Sequence, residues 1–266
     1  MTKFRELIYK AIQQRVDGNP VALLFSGGTD SLIVLWSLLA LGIETHCYTF
    51  RLENVESKDS LIASKICRAW DVPFNLVIIP EGPVDILESN LRELIQIIRS
   101  SRKTHVECSF PFWYLVPYIA ETQVWSGFNG DDLWGSAKNI VIECSKDRAK
   151  FRAVREKLIA DPLTSAWQCV ETICKVNDKQ LLSVYRDREV IDYLLSFSWE
   201  ELNKPRQKIL AYEAFYKEFE RVPNIWRRND NLQCGSGLRE YLARTGNVRV
   251  VYKALFDQEK GQNKLI

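Results

Sequence analysis

Histidine is nearly absent: His46 and His105 are the only two in 266 residues, beside a single methionine. That scarcity speaks against a histidine-dependent triad or a His-rich metal centre. The seven cysteines, at 47, 67, 108, 144, 169, 174 and 234, are odd in number, scattered and never spaced Cys-x-x-Cys. They read as reduced thiols and exclude a disulfide framework, a zinc ribbon and a recognisable cluster site. With 12 Gly and 9 Pro the chain is neither fibrous nor of low complexity. No apolar run approaches the roughly 18 residues of a membrane span. The opening stretch is polar, without the apolar segment of a signal peptide, so a cytoplasmic protein without a membrane partner is expected.

What is present points to a folded α/β protein. Eight Trp and 46% hydrophobic residues exclude disorder. The net charge of +2 hides an asymmetry: residues 1–133 carry 12 Lys and Arg against 16 Asp and Glu, residues 134–266 carry 24 against 18. The basic half is either a solvated helical surface or a face for a polyanion such as nucleic acid. Its densest run, Arg148, Lys150, Arg152, Arg155 and Lys157, reads as a solvated helix face.

Apolar residues at helical spacing predict an amphipathic helix over 3–16, stopped by Asp17-Gly18-Asn19-Pro20. Val21–Phe25 is a short continuous apolar run, as in a strand buried on both faces. Further strands are predicted at 45–50, 74–79 and 123–126, and helices at 32–41, 58–70, 84–101 and 112–121. A loop is expected at 102–109, where Arg102, Lys103 and His105 are weighed as phosphate or carboxylate binders. This alternation predicts a parallel sheet covered on both faces. Past residue 140 the strands fade, and 147–158, 163–176, 187–195 and 204–219 read as helices. The expectation is a doubly wound, five-stranded, mostly parallel α/β core over 1–139, with a helical part over 140–266 closing on the same site.

Two motifs carry chemistry. Ser26-Gly27-Gly28-Thr29-Asp30-Ser31 follows the first strand and opens a helix. Such a turn offers backbone N–H groups and a helix N-terminus to phosphate, while Gly27 and Gly28 permit close approach. Asp30 adds a carboxylate suited to Mg²⁺. The second, Ser126-Gly127-Phe128-Asn129-Gly130-Asp131-Asp132-Leu133-Trp134-Gly135, follows the strand at 123–126 and supplies further hard oxygen ligands.

The first motif resembles the S-G-G-x-D-S pyrophosphate loop of the N-type ATP pyrophosphatases (PP-loop enzymes). The second resembles the S-G-E-G-A-D-E-L-F-G-G segment of the asparagine synthetase branch. Ser109–Leu115, Asp187–Asp192, Lys208–Phe215 and Pro223–Gly237 are similar, in order, to later segments of that synthetase domain. The resemblance spans roughly residues 5–245. It implies ATP cleaved to AMP and pyrophosphate, with adenylation of a carboxylate or carbonyl oxygen and formation of an amide or other C–N bond. It implies pyrophosphate on Ser26–Ser31, adenine near Tyr48–Arg51, and Phe50 and Gly127 among the nucleotide-binding residues. One or two Mg²⁺ would bridge Asp30 and Asp131, and Asp131, Lys208 and Arg228 form the expected catalytic set.

Three departures stand out. Phe128 falls where the family has Glu or Tyr, and Phe cannot transfer a proton. Asn229 falls on the Lys of W-R-x-K, so the adjacent Arg228 is expected to supply that charge, with Lys204, Lys208 and Lys103 next in line. The glutaminase domain of asparagine synthetase is not part of this sequence, so nitrogen is expected from free ammonia, a separate glutaminase or an amine on the substrate. The alternatives are a PP-loop enzyme modifying a nucleobase or tRNA, and a catalytically impaired ATP-binding partner protein.

Overall fold

The computed structural model describes residues 1–18, 20–136, 138–160, 166–221 and 236–262. Along the chain lie α1 (Lys3–Gln13), β1 (Val21–Leu24), α2 (Thr29–Ala40), β2 (Thr45–Leu52), α3 (Lys58–Trp70), β3 (Phe74–Ile79), α4 (Val84–Ile98), α5 (Lys103–Leu115) and β4 (Gln123–Ser126). Then follow α6 (Gly130–Trp134), α7 (Lys138–Cys144), α8 (Arg148–Ala160), α9 (Trp167–Val176), β5 (Gln180–Ser183), α10 (Arg188–Leu195), α11 (Trp199–Asn203), α12 (Ile209–Ala214) and α13 (Tyr216–Arg221). Two more helices, Leu238–Leu242 and Val248–Gln262, end the described chain.

The five strands form one sheet in the order β3-β2-β1-β4-β5, every neighbouring pair parallel. The doubly wound α/β expectation holds. All four residues of β1 are buried, as its unbroken apolar run requires. Val21 and Leu23 point into the core shared with α1 and α2, Ala22 and Leu24 into that shared with α4, α5 and α9. The apolar spacing of α1 does what it predicts: Phe4, Leu7, Ile8, Ala11 and Ile12 are buried, and Thr2 accepts the Arg5 N–H to start the helix.

Three local readings change. The supposed loop at 102–109 is mostly helix, because α5 begins at Lys103 and runs through Pro111. A proline removes one helical donor and reads as a break, but the buried side chains of Val106, Phe110, Phe112 and Leu115 keep the helix together. His105 is buried and hydrogen-bonded to Ser100 Oγ at 2.8 Å, and Lys103 Nζ lies 3.6 Å from Glu107. The residues weighed as anion binders thus lie at the start of a helix and not in an open loop. Second, the stretch 204–219 is not one helix; residues 204–208 precede α12 and α13 as an irregular segment. Third, β5 lies past residue 140, where only helices were expected, and completes the sheet from the second half of the chain.

Candidate active site

From β1 the chain winds outward to β2 and β3, then returns to place β4 and β5 on the other side. The reversal leaves a crevice outside the carboxyl ends of β1 and β4, where open α/β sheets bind ligands. Two loops meet there. On the β1 side, Gly27 has φ +72°, and a Cβ on it would lie 2.9 Å from Ile62 Cγ2. Only glycine satisfies both the left-handed backbone and the close packing of α3. The Gly28 N–H donates to Ser26 Oγ at 3.2 Å, and the Ser31 hydroxyl donates to the Gly28 carbonyl at 3.0 Å. Gly28 caps α2 without a side-chain bond, so the first-turn amides at Thr29, Asp30 and Ser31 form the end of α2 that an anion seeks. On the β4 side, a Cβ on Gly127 would stand 2.8 Å from the Ser31 nitrogen.

Asp30 and Asp131 come from these two loops, and Lys208 joins them. Its Nζ donates to Asp30 Oδ2 at 2.8 Å and to Asp131 Oδ1 at 2.7 Å. The Lys208 and Asp30 side chains are 6% and 12% exposed, whereas Asp131 is 69% exposed. Burial pushes the Asp30 carboxyl up, to about 6, against the pull of Lys208. Lys208 in turn holds the Asp131 carboxyl below the usual carboxylate range. Burial works against the Lys208 charge, yet Asp131 and Asp30 hold its ammonium above the ordinary lysine value. The place between the two carboxylates, where a shared Mg²⁺ was expected, therefore contains an ammonium.

Several residues of this cluster escaped the sequence reading. Trp134 Nε1 donates to Asp30 Oδ1 at 2.9 Å; the tryptophan stood in the second motif but gave no sign of facing Asp30. Asn203 donates to the Trp134 carbonyl at 2.9 Å and accepts the Lys208 N–H at 3.2 Å. It thereby ties the end of α6 to the backbone of the bridging lysine. Tyr185 is fully buried, and burial together with the charges of Asp30 and Asp131 pushes its phenol well above the usual range.

Arg155 is the largest correction. It is completely buried, not part of a solvated or RNA-binding face. Its guanidinium donates to the carbonyls of Phe151, Leu133, Leu194, Leu195 and Phe197 at 2.8–3.4 Å and lies 3.8 Å above the Phe151 ring. It therefore caps α10 and pins α6, the helix that carries Asp131. Of its neighbours in the basic run, Arg148 donates to the Ser196 carbonyl and Arg152 to Glu156.

Phe128 is part of an aromatic wall beside the crevice. Its ring lies 5.5 Å from Phe112 and 6.2 Å from Trp167. Phe112 stands 6.3 Å from Phe50, which is buried in the same row. Arg186 lies over Trp167 at 4.9 Å and donates to Asn129 Oδ1. Of the expected site residues, Ser26–Ser31, Gly127, Asp131 and Lys208 converge on the crevice, with Phe50 in the aromatic row at its edge. Arg228 lies outside the described residues, as do Trp226, Arg227 and Asn229.

The family model for asparagine synthase matches residues 3–238. The chain belongs to the asparagine synthase family. It is thus an ATP-utilising PP-loop enzyme by family, and family members bind ATP, typically with Mg²⁺. No curated protein matches the chain. Among solved structures, a predicted subunit of tRNA methyltransferase from Methanocaldococcus jannaschii aligns with a TM-score of 0.42 at 11% identity, over 88% of this chain and 92% of that one. Among the described residues no three His, Cys, Asp or Glu side chains gather to hold a metal, and no helix is long and apolar enough to cross a membrane. The glycine cradle and helix end fit a nucleotide polyphosphate. A metal shared between Asp30 and Asp131 does not fit with Lys208 where it stands, whereas the exposed Asp131 suits a hard cation held jointly with phosphates.

Proposed function

We propose that the protein is a C–N ligase that adenylates a small-molecule carboxylate or carbonyl oxygen with ATP and then lets ammonia or an amine displace AMP. The observation that carries this reading is the meeting of Asp30, from the loop after β1, with Asp131, from the loop after β4, around one buried ammonium. That cluster stands at the switch point of the sheet, beside an amide-lined turn without a side-chain cap. Such a site has the parts needed to grip a pyrophosphate as it leaves and to stabilise the charge it gains.

In the first step an oxygen of the acceptor attacks the α-phosphorus. The α–β phosphoanhydride bond breaks, and pyrophosphate leaves with the electron pair. Ser26, Ser31 and the amides of the turn hold the leaving group, and Lys208 supplies fixed positive charge next to it. Mg²⁺ on Asp131 would neutralise further phosphate charge. In the second step the amine nitrogen forms the new C–N bond, the C–O bond to AMP breaks, and the nitrogen loses a proton. Phe128 contributes no base for that proton. The leaving AMP phosphate or water therefore takes the proton, and the nucleophile is a neutral amine: free ammonia, ammonia from a separate glutaminase, or an amine on the substrate. A nucleobase- or tRNA-modifying enzyme would have to hold its polyanion by cations other than Arg148, Arg152 and Arg155, which are engaged within the chain.

Labelling tests the proposal. With the acceptor carboxylate carrying ¹⁸O, one labelled oxygen should appear in AMP as the amide forms, detected by mass spectrometry. Unlabelled AMP from a turning-over enzyme would sink it.

A further inference from the structure

A magnesium ion shared by Asp30 and Asp131 would have to sit about 2.0–2.1 Å from an oxygen of each. That place is taken by Lys208 Nζ, 2.8 Å from Asp30 Oδ2 and 2.7 Å from Asp131 Oδ1. The lysine is enclosed, its side chain 6% exposed. Its backbone stands at φ +57° as the first residue before α12, and its N–H is held by Asn203. Asp30 is equally enclosed. Its second oxygen accepts from the Trp134 indole, and Gly130 backs onto the carboxylate so closely that a Cβ there would meet it at 2.4–2.8 Å. Asp131 differs in both respects: its side chain is 69% exposed, and Lys208 engages only Oδ1.

We infer that Lys208 is a built-in cation that stands in place of a bridging metal, so that a divalent ion attaches to Asp131 alone, beside the nucleotide phosphates. Asp30 then serves to hold the ammonium and is not a metal ligand. Two carboxylates and one ammonium leave one net negative charge, which suits a single divalent ion arriving with a polyphosphate. The inference rests on nucleotide use, which the family establishes, and not on which acceptor is adenylated.

Mn²⁺ is the probe, counted by electron paramagnetic resonance with the non-cleavable α,β-methylene-ATP bound. Wild type, Asp30→Asn, Asp131→Asn and Lys208→Met are compared after circular dichroism confirms folding. One Mn²⁺ per nucleotide is expected in the wild type. Asp131→Asn should weaken Mn²⁺ by at least about tenfold, and Asp30→Asn by less than about threefold, since only the first removes a ligand. Lys208→Met should open the shared place and admit an additional Mn²⁺. A second ion in the wild type, equal tenfold losses from both aspartate variants, or no additional ion in a folded Lys208→Met would overturn the inference. If Lys208→Met does not fold, the two aspartate variants decide.

Discussion

Gly130→Ala tests the geometry of the cluster with one methyl group. Gly130 is not in the left-handed region, so alanine brings no backbone strain, and within a helix it is favoured over glycine by about 0.5–1 kcal/mol. The added Cβ, however, would lie 2.4 Å from Asp30 Cγ and 2.6 and 2.8 Å from its oxygens. Ordinary contact needs about 3.4 Å or more, so the carboxylate must retreat by about 1 Å. Its bonds to Lys208 at 2.8 Å and Trp134 at 2.9 Å then stretch past useful length. Each charge-assisted bond contributes about 1.5–3 kcal/mol. Overpacking costs about 1–3 kcal/mol, partly offset by the alanine, so the fold survives with a modest loss. Lys208 loses this anchor, and misplacing a positioned group by about 1 Å costs about a hundredfold in rate. The expected result is a small drop in melting temperature with turnover down by about a hundredfold. Gly42→Ala is the control: φ is +72° and nothing lies within 4 Å, so it should lower stability without touching turnover. Wild-type turnover in folded Gly130→Ala would refute the placement of Asp30.

Arg155→Lys should not rescue the five carbonyl contacts, because an ammonium has three donors and no planar fork. Denaturant unfolding should show a loss of about 3 kcal/mol or more, and a variant as stable as wild type would contradict the packing. Asn203→Ala should lower kcat more than it raises KM for ATP, since it loosens Lys208 without removing a nucleotide contact; a pure KM effect would argue otherwise. The activity should fall with acid through a midpoint near 6 as Asp30 takes up a proton: burial raises its pKa and Lys208 opposes the rise. In metal-free Lys208→Met the Asp30 carboxyl should titrate higher still, read by carbon-13 nuclear magnetic resonance, and a downward move would contradict the pairing. With ammonium as nitrogen donor, kcat/KM for total ammonium should rise roughly tenfold per pH unit between the Asp30 midpoint and the ammonium pKa, because neutral ammonia attacks and Phe128 provides no base to deprotonate the ammonium ion. A flat profile would reveal a base elsewhere.

The sheet was legible wherever a strand was a continuous apolar run next to glycine chemistry. Val21–Phe25 followed by Ser26-Gly27-Gly28 announced both β1 and the tight glycine turn into α2. β5 was not legible, since Gln180–Ser183 is four residues long and its exposed first residue breaks the apolar pattern. The first half of α5 reads as a loop of solvated side chains, whereas His105, Val106 and Glu107 are buried within the helix. Asp30 and Asp131 were legible as chemistry because their motifs name them. Lys208 was named through the resemblance, but its place between them was not legible, because it is brought across 178 residues by the folded chain. Arg155 escaped for the opposite reason: a run of Arg and Lys at surface-like spacing conceals the one member that points inward, where carbonyl ends of α6 and α10 replace water.

The central claim is that the turn at Ser26–Ser31 holds a pyrophosphate that leaves as a unit, so that bond breaking occurs at the α-phosphorus. Phosphorus-31 nuclear magnetic resonance of the protein with Mg·ATP, ammonium and a mixed pool of small carboxylates measures this directly. AMP and pyrophosphate should appear together in equal amounts, and neither should form with Gly130→Ala at a comparable rate. ADP and inorganic phosphate as the main products would place the cleavage at the wrong bond and contradict the account.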